Sequence, residues 1–172
     1  CQKNTAIFLT FCCVYTAKFI SLQQFHDKQG YNMELLKQLS DNLIKRTDTR
    51  YLRYLYHQIP WTNRMTAIVG PRGVGKTTHL LQYIKLNLHK KDTLYVSAES
   101  IYFANHTLFD TATTFCGLGG NHLFIDEIHK YKGWATELKM IYDNLPDLQV
   151  VFTGSSVLDI YKGTADLSRR VL

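Results

Sequence analysis

The feature that most constrains this chain is the run Gly70-Pro71-Arg72-Gly73-Val74-Gly75-Lys76-Thr77-Thr78. It fits G-x-x-x-x-G-K-[ST], a loop whose backbone N–H groups cradle phosphates. Residues 65–69 (MTAIV) just before it are short, apolar and partly β-branched, which predicts a buried strand. Residues 77–89 just after it space Leu80, Leu81, Ile84 and Leu88 as a helix does. Strand, glycine loop and helix in that order are the context in which the pattern has chemical meaning. Gly70, Gly73 and Gly75 are expected to take positive φ and turn N–H groups inward. Lys76 is spaced to reach β- and γ-phosphates, and the Thr77 hydroxyl to ligate Mg²⁺. The N-terminal end of the helix adds its partial positive charge.

A second station comes from residues 122–127 (HLFIDE), which read as a hydrophobic strand ending in two carboxylates. In open α/β sheets ligands bind at the C-terminal ends of strands. Asp126 is therefore expected to hold Mg²⁺ opposite Thr77, and Glu127 to polarise an attacking water as general base. The adjacent glutamate suits hydrolysis rather than transfer to an acceptor, which sets a small-molecule kinase last. No Asn-Lys-x-Asp guanine-reading motif occurs, so ATP is the expected nucleotide. Thr153-Gly154-Ser155-Ser156 closes a further strand. Ser155 first, and Ser156 second, are candidates to hydrogen-bond the attacking water or γ-phosphate, a role called sensor 1; capping of a following helix is the other reading. Arg169 and Arg170 are candidates for a transition-state arginine offered to a neighbouring subunit, or for a surface salt-bridging pair. Among the seven histidines, His129 reads as a surface bystander, and His79 either packs or faces solvent.

The rest of the chain supplies the frame. Residues 93–97 read as a strand and residues 134–144 as a helix with Leu138, Ile141 and Tyr142 facing in and Glu137, Lys139 and Asp143 facing out. Residues 148–153 read as a strand; residues 100–115 have irregular, helix-like spacing. From Met33, Leu35, Leu36, Leu39, Leu43 and Ile44 repeat at helical spacing, with Ser40 and Asp41 among the polar residues between. Residues 51–56 (YLRYLY) are expected to add a second helix whose tyrosines pack in the core. Strands alternating with helices predict an α/β, three-layer αβα sandwich around a mostly parallel sheet.

Hydrophobic residues make up 45% and charged residues 20% of the 172, the balance of a globular chain with a real core. The net charge of +6 permits a DNA partner without identifying one. The four cysteines have no C-x-x-C spacing, so neither a zinc site nor a redox motif is indicated, and a reducing cytoplasmic compartment is the default. Residues 6–17 (AIFLTFCCVYTA) are apolar but too few to span a bilayer. Residues 1–32 are read as an N-terminal extension outside the functional domain, either upstream sequence or an export signal, and residues 33–172 as the domain itself.

Taken together, the phosphate loop, Phe124-Ile125-Asp126-Glu127-Ile128-His129-Lys130, Trp134, Tyr142-Asp143-Asn144, Thr153-Gly154-Ser155-Ser156 and the tail through Arg169-Arg170 resemble the prokaryotic AAA-type P-loop ATPases. The resemblance runs from about Leu35 to Leu172. It implies nucleotide, magnesium and catalytic roles for Lys76, Thr77, Asp126 and Glu127, with ATP and Mg²⁺ as the bound species and oligomerisation as a common arrangement. Ser155 stands where better-known members carry Asn or Thr. Such proteins continue with a further strand and then a winged-helix and nuclease-like region. By that measure the domain is expected to be incomplete, lacking its fifth strand and leaving the edge beside the phosphate-loop strand open. A nucleotide-switched binding module with slow turnover, or one associated with DNA, is the alternative to an active ATPase.

Overall fold

The computed structural model describes residues 33–52, 54–156 and Leu167. The chain divides into two units, Cys1–Leu35 and Leu36–Leu172. In the first, residues 33–35 are helical, and the apolar residues 6–17 lie outside the described part.

The second unit opens with helix α1, residues 36–46. It continues with strand β1 (Met65–Val69), helix α2 (Lys76–Asn87), β2 (Thr93–Ser97), α3 (Leu108–Gly117), β3 (His122–Asp126), α4 (Trp134–Asn144) and β4 (Gln149–Gly154). All strand pairings are parallel, in the order β1-β4-β3-β2. The α/β sandwich expected from the alternation of strands and helices is therefore present. Strand β4 comes last in sequence yet inserts between β1 and β3, which puts the C-terminal ends of β1, β4 and β3 side by side at one end of the sheet.

Near-continuous burial of β2, β3 and β4 follows from their composition, since strands covered on both faces carry apolar residues throughout. Ile44, Trp61, Leu80, Leu81, Ile84, Tyr95, Phe124 and Val151 form one core cluster. Within it the Trp61 ring stacks on Tyr83 at 3.9 Å between centroids, and the indole N–H donates to the Tyr56 carbonyl. Helix α3 is fastened to α4 through Glu137, whose carboxylate accepts the Phe109 N–H at 2.9 Å and the Tyr131 hydroxyl at 2.7 Å. Glu137 is therefore a partly buried fastener, not the outward-facing charge its spacing suggested. Burial and this carboxylate push the Tyr131 phenol up to about 12.

Three other expectations are corrected. Residues 51–56 do not form a second helix; a short 3₁₀ turn spans Tyr54–His57. Tyr51 and Tyr54 are 86% and 79% exposed, and only Tyr56 of the three packs inside. The segment before that turn is held instead by Gln82 on α2, whose amide donates to the carbonyls of Asp48 and Tyr51, both at 2.8 Å. On α1, Leu36 and Ile44 are buried but Leu39 and Leu43 are exposed, and the polar Ser40 takes the inward position between. Ser40 Oγ accepts the Tyr95 N–H at 3.0 Å, satisfying a donor on the outer side of the edge strand β2.

Candidate active site

The loop between β1 and α2 reaches its shape through two glycines. Gly73 and Gly75 sit at φ 84° and 90°, where a side chain would be strained. Gly70 does not share that conformation, contrary to expectation, and a Cβ there would meet Val74 at an ordinary 3.6 Å. Pro71, Arg72, Gly73 and Val74 form the exposed crest of the loop, and Thr78 is exposed on the first turn of α2. Gly70 N–H donates to the Gly154 carbonyl at 3.3 Å, which ties the start of the loop to the end of β4.

Lys76 opens α2 and is buried. Its ammonium donates to the Gly70 carbonyl at 2.8 Å and the Pro71 carbonyl at 3.1 Å, and lies 3.9 Å from Glu127 Oε1. The cation is thus folded over the concave side of the loop. His79, one turn on, is packed inside.

Asp126 closes β3 and is 5% exposed. Its Oδ2 accepts the Thr77 hydroxyl at 2.6 Å and the Tyr95 hydroxyl at 2.9 Å, and its Oδ1 accepts the Thr153 hydroxyl. Among the described residues no cationic side chain lies within ion-pair distance of this carboxylate. A buried anion held only by hydroxyls is a costly arrangement unless a cation completes it. Thr77 and Asp126 therefore fit a magnesium ion, which takes one or two protein oxygens and fills its shell from phosphates and water. Among the described residues no group of three histidine, cysteine or acidic side chains could hold a metal by itself.

Glu127 is not the last residue of the strand, as its sequence suggested. It lies just past it at φ 53°, ψ 45°, the one non-glycine with positive φ among the described residues. That left-handed turn costs about 1–2 kcal/mol. It swings the side chain away from Asp126 and toward the loop. Its N–H donates to Thr153 Oγ1 at 3.0 Å, so Thr153 bridges both acidic residues. Glu127 Oε2 accepts the Ser155 hydroxyl at 2.8 Å and lies 3.3 Å from His129 Nδ1; Ser155 Oγ is 3.4 Å from His129 Nε2. His129 is thus no surface bystander, its side chain being 9% exposed against the Glu127 carboxylate. Ser156 follows two residues past the end of β4, and Arg169 and Arg170 lie outside the described residues.

Lys76, Thr77, Asp126, Glu127 and Ser155 are accordingly brought together at one end of the sheet. Three neighbours were missed: Tyr95, Thr153 and His129. Thr153 belonged to the quoted Thr-Gly-Ser-Ser run, but its side chain counts for more than its sequence position suggested.

Residues 62–172 match a family model described as AAA domain. Among solved structures the chain is similar to C. elegans PCH-2, at 17% identity over 81% of this chain and 40% of that one, with a TM-score of 0.44. It is also similar to a DNA replication initiation factor, at 17% identity over 70% of this chain and 38% of that one, with a TM-score of 0.41. The chain therefore spans well under half the length of either structure. No curated protein matches it. No helix of the described residues is long and apolar enough to cross a membrane.

Proposed function

Because the chain belongs to the AAA domain family, we propose that it binds ATP with Mg²⁺ on the loop of residues 70–78 and hydrolyses it. The observation that carries this reading is the 2.6 Å hydrogen bond from Thr77 on α2 to Asp126 on β3. It joins the hydroxyl and the carboxylate that nucleotide hydrolysis requires at one point. Lys76 and the N–H groups of the loop bind the β- and γ-phosphates. Thr77 and Asp126 would hold Mg²⁺, which when bound supplies charge neutralisation between those phosphates. Glu127 takes a proton from the attacking water, the role its carboxylate can fill beside Lys76. Ser155 orients that carboxylate through its hydrogen bond to Oε2, with the His129 ring packed beside it. Together these roles make the site one for phosphoanhydride hydrolysis.

A second reading, a nucleotide-controlled binding module with slow turnover, draws on the same Glu127. Its carboxylate oxygen Oε2 is engaged by Ser155, a bond that must be released if that oxygen is to meet a water. Turnover by the wild type, Lys76→Ala and Glu127→Gln proteins separates the two readings, with GTP as a control. Hydrolysis lost in both variants, with nucleotide binding retained in Glu127→Gln, supports the enzyme. Equal turnover by wild type and Lys76→Ala refutes it. Binding without turnover in the wild type leaves the switch.

A further inference from the structure

We propose that Tyr95 is a positioning residue for the metal site, its hydroxyl fixing the Asp126 carboxylate in the orientation that receives Mg²⁺ with the nucleotide. This rests on the Mg·ATP reading above and adds to it a residue that no sequence motif marks.

The placement follows from the sheet. Tyr95 pairs in register with Phe124 on β3, and Asp126 is two residues beyond Phe124 on the same face. A long side chain reaches such a diagonal neighbour. The Tyr95 ring sits in the core cluster beside Leu80, Leu81, Ile84 and Phe124, leaving only the hydroxyl to meet a polar group. That hydroxyl is buried, and burial of a phenol without a partner is unfavourable. Asp126 Oδ2 at 2.9 Å is the partner. Facing a carboxylate oxygen, which offers only acceptor positions, the phenol hydroxyl is the donor of this bond.

The three donors on Asp126 differ in what a metal would do to them. Thr77 donates to Oδ2, and its oxygen is the one that would also be offered to Mg²⁺. Tyr95 on Oδ2 and Thr153 on Oδ1 are not recruited. One such donor on each oxygen holds the carboxylate against rotation about its Cβ–Cγ bond independently of Thr77. The backbone of Tyr95 is itself pinned by the 3.0 Å hydrogen bond to Ser40. Such partners of a metal-binding carboxylate commonly change metal affinity by about 10–100-fold when removed.

The test uses the full chain and a fluorescent, non-hydrolysable ATP analogue, titrated with MgCl₂, in wild type and Tyr95→Phe. Phenylalanine fills the same volume and leaves the phosphate loop untouched. The expected result is equal affinity for the analogue without metal and a Mg²⁺ midpoint raised roughly tenfold in Tyr95→Phe. An unchanged or lower midpoint, with the wild type binding normally, overturns the role of Tyr95 and leaves the Mg·ATP reading standing. A wild type that does not bind the analogue, or binds it without regard to Mg²⁺, overturns that reading and this inference with it. A second measurement needs no variant. The Tyr95 hydroxyl proton of the wild type should stay in slow exchange by NMR both without ligand and with Mg²⁺ and the analogue bound. Its loss to fast exchange in the bound state refutes the proposal.

Discussion

Thr153→Val isolates the hydroxyl that bridges the two acidic residues. Thr153 is fully buried, and valine has nearly its shape, so no cavity forms and the change is one of hydrogen bonding. The hydroxyl makes two bonds that valine cannot: it donates to Asp126 Oδ1 and accepts the Glu127 N–H. Loss of a bond to a charged group removes about 1.5–3 kcal/mol, and an orphaned buried N–H costs a further ~1–3 kcal/mol. The extra apolar methyl returns about 0.8 kcal/mol. The net expectation is a loss of roughly 2–5 kcal/mol. Urea unfolding followed by tryptophan emission reads it directly, because Trp61 and Trp134 are both buried. Thr153→Ser keeps the hydroxyl and loses one methyl, for which about 0.5–1.5 kcal/mol is expected, on the scale of Ile→Val. The order of the two variants is the decisive result. If valine costs under about 1 kcal/mol, or less than serine does, the hydroxyl is not holding the acidic pair and the network around Asp126 is misread.

Gly120→Ala should lower stability by about 1–3 kcal/mol in a thermal melt, because a Cβ there would come within 2.2 Å of the buried Phe115 ring; a wild-type melting temperature would mean that the ring moves freely. Ser40→Ala should speed hydrogen exchange at the Tyr95 amide and cost about 1–3 kcal/mol, since that N–H then lacks its acceptor. Exchange at an unchanged rate would show that water replaces the serine. Ser155→Ala removes one hydrogen bond to Glu127 Oε2 and should lower ATP turnover roughly tenfold, the equivalent of about 1.4 kcal/mol, with nucleotide affinity little changed. Equal loss of affinity and turnover would move Ser155 from orienting the base to binding the nucleotide.

What was legible in the sequence is what the backbone or deep burial demands of residue identity. Gly73 and Gly75 are glycines because their φ values would strain any side chain, and the apolar run into Asp126 is a strand because both of its faces are covered. Tyr95 and Thr153 escaped because a tyrosine and a threonine are ordinary strand residues. Their meaning comes from strand order, which sequence order does not reveal. Once β4 is known to lie beside β3 with Ile125 opposite Phe152, Thr153 falls beside Asp126 one step further along. The misread residues 51–56 failed for a related reason. A pattern of tyrosines and leucines suits a helix, but the buried Gln82 side chain competes for two carbonyls of the approach and holds the backbone out of one.

The donors around Asp126 also explain why its carboxylate stands in the interior of the sheet. An edge strand could present an acid to α2, but not to a hydroxyl from a strand on either side. From β3, Asp126 meets Tyr95 of β2 on one flank and Thr153 of β4 on the other, with Thr77 of α2 at the carboxylate's end. A carboxylate offers about four acceptor positions, so three donors leave room for one more strong interaction. Hydroxyls stabilise the anion without neutralising it, whereas a lysine or arginine in any of these places would oppose a metal ion. The same fold keeps its buried cation, Lys76, near Glu127 and outside ion-pair reach of Asp126. Two neighbouring acids thereby meet opposite surroundings, one ringed by neutral donors and the other beside a cation. On the proposed function, that difference divides metal binding from base catalysis between them.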